Sequence, residues 1–234
     1  MSKKEKPILF STPMVQALLN TKPGVWPAEP VDPDKPFKWQ TRREVKQKVD
    51  EFENGLYVDR LGAVLDKSNV RIAPYEVDDI LWVRETWSKD VAGIIYKAGE
   101  GITIDINNEQ SLYFASKAKW KPSIHMPRAA ARIFLEVKSV RIAQLWEITE
   151  KDAKAEGVLP MSPFDLKQIP LSITEPGGKY GKGQILNSSY KASYYKLWES
   201  LNEKRGFPWD GNPWVFAYEF MRGDAESARE VQEA

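Results

Sequence analysis

Cysteine is missing from all 234 residues. Its absence excludes disulfides, zinc–thiolate centres and cysteine nucleophiles, and it fits a reducing compartment. Histidine is nearly missing too: His125 stands alone, which removes two-histidine metal motifs and allows at most one Ser–His arrangement. No run of about 18 apolar residues occurs, and the opening MSKKEKPILF lacks the long apolar core of a secretory signal. The expectation is a cytoplasmic protein without a membrane partner. Net charge is also nearly absent, since 34 Lys+Arg against 33 Asp+Glu leave +1. Any contact with nucleic acid must therefore come from a local patch. What the chain does have is apolar and aromatic mass, 42% and 12% with nine tryptophans, which argues against disorder and for a buried core.

The patterning predicts one domain over residues 7–222, with flexible tails at 1–6 and 223–234. PILF reads as a short buried strand. STPMVQALLN carries a helix start, with Ser11 or Thr12 as cap, Pro13 in the first turn, and Met14, Val15, Leu18 and Leu19 as an apolar stripe. Five prolines in residues 21–37 mark an irregular insertion. A second insertion, rich in Pro, Gly and Ser, spans about 158–187. Strand-like runs appear in ILWVRETW, IIYKAG, GITIDI, SLYFAS, ARIFLEVKSVRI and NPWVFAYEF. ITEKDAKAEG predicts a short helix, with Thr149 and Asp152 as a capping box and Gly157 at its end. SSYKASYYKLWESLNEKRG predicts an amphipathic helix with Tyr194, Leu197, Trp198 and Leu201 on one face. Many strands with few helices predict an α+β fold, a small mixed β-barrel with helices packed at its ends.

Few residues carry obvious chemistry. His125, between a turn and a strand, reads first as structural. Arg84 and Glu85 interrupt an apolar strand, so they either form an ion pair or line a polar cavity. Glu156 falls at the end of the short helix, where the helix dipole disfavours an anion. It is either an exposed helix residue or a carboxyl group poised to move protons. The segment KWQTRR is either a solvated basic turn or half of an active site. In the second case Lys38, with its ammonium form disfavoured by burial and by Arg42 and Arg43, would serve as base for Thr41.

Several of these segments, in order, resemble the ASCH family of PUA-like β-barrels, its phage and prophage members above all. They are KPILFSTPMVQALLN, QTRR, DDILWVRETW, WKPSIHMPRAAARIFLEV, ITEKDAKAEG, LWESLNEKRG and NPWVFAYEF. The chain departs from the family pattern where the insertion at 21–37 interrupts a short Gly-x-Lys-Thr-x-Thr turn, leaving Lys22 on one side and Lys38 on the other. Trp39 and Ala129 also replace a common threonine and tryptophan. One branch of the family deacylates N4-acetylcytidine with a lysine, a threonine three residues later and a glutamate. By that resemblance Lys38, Thr41 and Glu156 are the implied catalytic residues, with Lys22 as rival for the lysine. Trp39, by proximity, and Arg84, Glu85, His125 and Arg128 are candidate substrate contacts. The implied activity is a hydrolase with no cofactor and no metal, acting on a modified nucleoside or RNA in a bacterial or phage-infected cytoplasm. The alternatives are an RNA-binding module, or a ribonuclease of the same fold, gripping phosphate through Arg42, Arg43 and Arg128.

Overall fold

A computed structural model describes residues 4–45, 57–58, 64–65, 73–90, 93–99, 118–162, 165 and 189–223. Two of the expected strands, GITIDI and SLYFAS, and most of the insertion at 158–187 lie outside them.

The described residues form an α+β structure around a five-stranded sheet of order β1-β5-β8-β9-β2. Its strands are β1 (Glu5–Leu9), β2 (Gln40–Glu44), β5 (Ile80–Arg84), β8 (Phe134–Gln144) and β9 (Trp214–Arg222). β1 runs parallel to β5, and the other pairings are antiparallel. Two short ribbons, β3 (Tyr57–Val58) with β4 (Val64–Leu65) and β6 (Trp87–Asp90) with β7 (Gly93–Tyr96), complete the strands. Among the described residues the sheet is open, with β1 and β2 at its edges, so the expected closure into a barrel is not seen. β1 begins at Glu5, inside the segment read as a flexible tail, because Lys6 meets Asp79 at 2.6 Å and Glu5 meets Arg128.

Helix α1 (Thr12–Leu19) starts at Ser11 with Pro13 in its first turn, although the Ser11 side chain makes no capping bond. Its Val15 and Leu18 are fully buried against Ile8, Leu81, Leu135, Phe216, Tyr218 and Phe220 in the main core. A second core lies under α2 (Glu150–Ala155) and α3 (Ser189–Asn202), where Leu145, Ile148, Tyr194, Trp198 and Trp209 pack on Val215. The alternation of β9 explains the division: Phe216, Tyr218 and Phe220 feed one core and Val215 the other. On α3, Tyr194 and Trp198 are buried as expected, Leu197 is half-buried and Leu201 is exposed.

The run ILWVRETW does not continue as one strand. It breaks after Arg84 and resumes at Trp87. At the break the Glu85 carboxylate turns to a fork from Arg132, whose Nε and Nη2 lie 2.9 and 3.0 Å away. A buried carboxylate of 1% exposure needs such a partner.

Candidate functional site

KWQTRR is not a solvated turn: it runs into strand β2 at Gln40, and most of it is buried. Lys38 and Gln40 have no exposure, Thr41 has 3% and Arg42 has 5%. β2 is the last described strand, and two ladder bonds fix its orientation: Phe220 N–H to Trp39 O, and Val45 N–H to Trp214 O. In an antiparallel ladder the main-chain groups alternate in direction. Those of Thr41 and Arg43 therefore face β9, and those of Gln40, Arg42 and Glu44 face the free edge.

Helix α2 approaches that edge. Its capping box forms as the sequence predicts, with Asp152 N–H on Thr149 Oγ1 and Thr149 N–H on Asp152 Oδ2, both at 3.0 Å. Glu156 follows as the C-cap, and Gly157 leaves the helix at φ +82°. A Cβ on Gly157 would stand 2.9 Å from Ala17 Cβ and 3.0 Å from Lys38 Cβ. This glycine thus permits the turn and also the close approach that brings Glu156 onto Lys38.

Lys38 Nζ donates to Gln40 O at 2.7 Å, to Glu156 O at 2.8 Å and to Glu156 Oε2 at 2.9 Å. Those three acceptors use all three protons of an ammonium group. Arg42 holds the other side of the same carboxylate, with Nη1 3.2 Å from Glu156 Oε1 and Nη2 3.1 Å from Asp152 Oδ2. Arg141 reaches Asp152 Oδ1 at 2.9 Å. With its amide oriented to suit its neighbours, Gln40 donates to Asp152 at 3.1 Å and accepts from Arg42 at 3.2 Å. The result is a connected cluster in which Lys38, just before β2, Arg42 on β2 and Arg141 on β8 supply the cations, and α2 with its C-cap supplies the carboxylates.

Burial pulls the Lys38 ammonium below the ordinary lysine value, outweighing the opposing pull of Glu156, and Arg43 and Arg42 push it the same way as burial. Burial pushes Asp152 upward, but the Thr149 N–H, Arg42 and Arg141 outweigh it and hold that carboxyl below its ordinary value. Burial, reinforced by Glu156, raises the Tyr194 phenol well above its ordinary value.

A cleft of about 90 Å³ runs along the free edge of β2, between α1 and α3. Thr41, Arg42, Glu156 and Tyr194 line it, with Arg205 also on its wall. Lys38 lies behind Glu156. Comparison with family models, curated proteins and solved structures returned no match. The site must be read from its own chemistry.

Of the residues singled out from the sequence, Lys38 and Glu156 meet directly, and Thr41 shares the cleft wall with Glu156. Glu156, at 2% exposure, is not an exposed helix residue. Lys22 is excluded from the cluster by its own pairing, a half-exposed contact with Glu29 at 2.8 Å. The five expected substrate contacts line no part of the cleft. Trp39 stands edge-on to Trp26, with ring centroids 5.8 Å apart. Arg84 donates to Ile124 O and lies over Trp82, while Glu85 pairs with Arg132 and not with its neighbour Arg84. His125 is exposed on a 3-10 turn, so its expected structural role is not seen. Arg128 forks onto Glu5 at 2.6 and 2.8 Å.

Four members of the cluster were missed as such: Gln40 and Arg141 were not singled out, Asp152 was read only as a cap, and Arg42 as a flanking or phosphate-gripping cation. For Asp152 the signal was available, because Asp152 and Glu156 are four apart and must share a helix face. Among the described residues no helix is long and apolar enough to cross a membrane, and no group of three or more His, Asp or Glu is placed to hold a metal ion.

Proposed function

We propose that this protein is a metal-independent amidohydrolase of the ASCH type, cleaving the acyl group from N4-acetylcytidine or a related N4-acylated cytidine. The fold reading that goes with it is a PUA-like domain. The observation that carries the proposal is the 2.9 Å contact between the wholly buried Lys38 Nζ and Glu156 Oε2, on a cleft that Thr41 shares.

A single proton transfer across that contact yields both groups the reaction needs. It converts an ammonium and a carboxylate into an amine and a carboxylic acid, and burial eases the loss of the proton from Lys38. The Lys38 amine, bonded to the carbonyl of the residue preceding Thr41, is then the base that takes the Thr41 hydroxyl proton. Thr41 Oγ attacks the acyl carbonyl, and Glu156 delivers its proton to the departing cytosine N4 amine. Water next hydrolyses the Thr41 ester, releasing the carboxylic acid and restoring the hydroxyl. The cleft is smaller than the roughly 300–1,000 Å³ of pockets that enclose drug-sized ligands. It suits the acyl group and the amide edge of the base, with the ribose outside.

The RNA-binding and ribonuclease readings rely on cations that already have partners. Arg42 is held by Glu156 and Asp152, Arg43 donates to Leu9 O at 2.7 Å, and Arg128 is on Glu5. The test is release of cytidine from N4-acetylcytidine by purified protein, alongside Lys38→Ala, Thr41→Ala and Glu156→Ala. Turnover by the wild type, lost in the variants, is expected. An inert wild type, or variants as active as the wild type, would remove the reading.

A further inference from the structure

Cleavage of an amide demands one group that Lys38, Thr41 and Glu156 do not supply: a donor for the acyl oxygen, which gains a negative charge as the nucleophile adds. The cleft wall contains one. Arg42 has a side chain of 1% exposure, and both its terminal nitrogens are held by carboxylates, Nη1 by Glu156 and Nη2 by Asp152. Its third nitrogen, Nε, carries one N–H, which is buried and has no acceptor. Buried donors are almost always satisfied, so an unpaired one on a residue that lines the cleft calls for an acceptor, which a ligand entering the cleft brings. The main-chain N–H of Arg42 also faces the free edge of β2, by the alternation that the Trp39 and Val45 ladder bonds fix.

The other cations near the cleft are committed. The three protons of Lys38 have their three acceptors. Arg43 donates to Leu9 O, and Arg205 donates to Glu44 and Asn202. The Arg42 guanidinium is also fixed in direction, because two carboxylates from one helix clamp it while the Tyr194 ring lies 6.0 Å from its centre. A donor locked before the substrate arrives is the arrangement that stabilises a developing charge.

We propose that Arg42 Nε–H, assisted by the Arg42 main-chain N–H, is the oxyanion donor of this cleft and a catalytic residue of the amide hydrolysis proposed above, on which this assignment rests. As Thr41 Oγ bonds to the acyl carbon, the π pair of the C=O bond moves onto oxygen, which accepts from Nε–H. The pair returns when the C–N bond breaks and the amine leaves with the proton from Glu156. Arg42 is unchanged at the end. The substrate feature it reads is a carbonyl or carboxylate oxygen, and so the acid product should bind the same donor.

The experiment follows the Arg42 Nε–H resonance in 1H–15N spectra of the whole wild-type protein, assigned by its loss in Arg42→Lys, during titration with sodium acetate. A shift that saturates is expected. In parallel, Arg42→Lys should lower kcat for N4-acetylcytidine by about 10²–10³-fold with little change in KM. A resonance that ignores acetate overturns the assignment whether or not the protein hydrolyses anything, and so does Arg42→Lys with undiminished kcat. A resonance that moves in a protein inert towards N4-acetylcytidine removes the amidohydrolase reading and keeps Arg42 as a carboxylate-binding donor. If Arg42→Lys does not fold, through-bond correlation from the Arg42 backbone assigns the resonance in the wild-type protein, and the titration stands.

Discussion

Replacing Glu156 with Gln keeps the size of the side chain and removes its charge, leaving Lys38 and Arg42 buried against an amide. Breaking a buried ion pair by removing one partner costs about 3–5 kcal/mol. Here Lys38 keeps two carbonyl acceptors, Gln40 O and the main-chain oxygen of residue 156, and the amide still offers one oxygen. The lower end applies, about 3 kcal/mol at pH 7. That cost must depend on pH. Burial already holds the folded-state pKa of Lys38 below its ordinary value of 10.5, and Glu156 is the main influence opposing it. Glu156→Gln therefore lowers the folded value further while the unfolded value stays put. Between the two values the unfolded chain carries a proton that the folded chain lacks, so stability rises with pH. The limiting slope is about 1.4 kcal/mol per pH unit for one proton, and the deficit of the variant should shrink as pH rises through the interval between the variant's and the wild type's folded Lys38 values, both of which lie below 10.5. Urea unfolding of both proteins at several values between pH 7 and 10, followed by tryptophan fluorescence, measures it. A deficit below about 1 kcal/mol, flat across that range, would refute the buried pair.

Gly157→Ala should cost about 2–4 kcal/mol, combining a left-handed backbone with a Cβ pressed on Ala17 and Lys38. Thermal denaturation reads that cost, and an unchanged Tm would contradict the close approach. Lys22→Ala removes a pair whose side chains are 46% and 58% exposed, so stability should move by less than about 0.5 kcal/mol and any hydrolytic rate should hold. A rate that collapses would return the lysine role to Lys22. Asn20→Ala deletes an anchor whose Nδ2 reaches Asp32 O, Lys35 O and Pro36 O at 2.9, 3.1 and 3.2 Å. Limited proteolysis should then cut within residues 21–37 well before the rest of the domain, and an unchanged digestion pattern would show that Asn20 does not hold the loop.

The caps and stripes of this chain were legible because they depend on neighbours in sequence. Thr149 with Asp152, Gly157 after α2, and the burial of Tyr194 and Trp198 follow from local spacing alone. The pairings that make the site were not legible, since Lys38 and Glu156 are 118 residues apart and only β2 docking on β9 brings the lysine to the helix end. The same holds for Glu85, whose partner Arg132 comes from a segment 47 residues on and not from the adjacent Arg84. Trp39 misled for a different reason. Next to Lys38 in sequence, it stands just before β2 and packs edge-on to Trp26 within the proline-rich loop.

That loop enters and leaves at one place. Thr21 Oγ1 lies 3.0 Å from the carbonyl oxygen of Lys38 and 3.1 Å from its amide nitrogen, and Lys38 N also donates to Ala17 O at 3.2 Å. The helix that precedes the insertion thus grips the main chain of the lysine that follows it, as a clasp closes a necklace whatever its length. Lengthening such a loop costs only a slowly growing closure entropy, about 0.6 kcal/mol per doubling. The segment between Thr21 and Lys38 is in that sense a graft point. It can be exchanged, shortened or made to carry a new recognition surface while the position of Lys38 is set by the clasp.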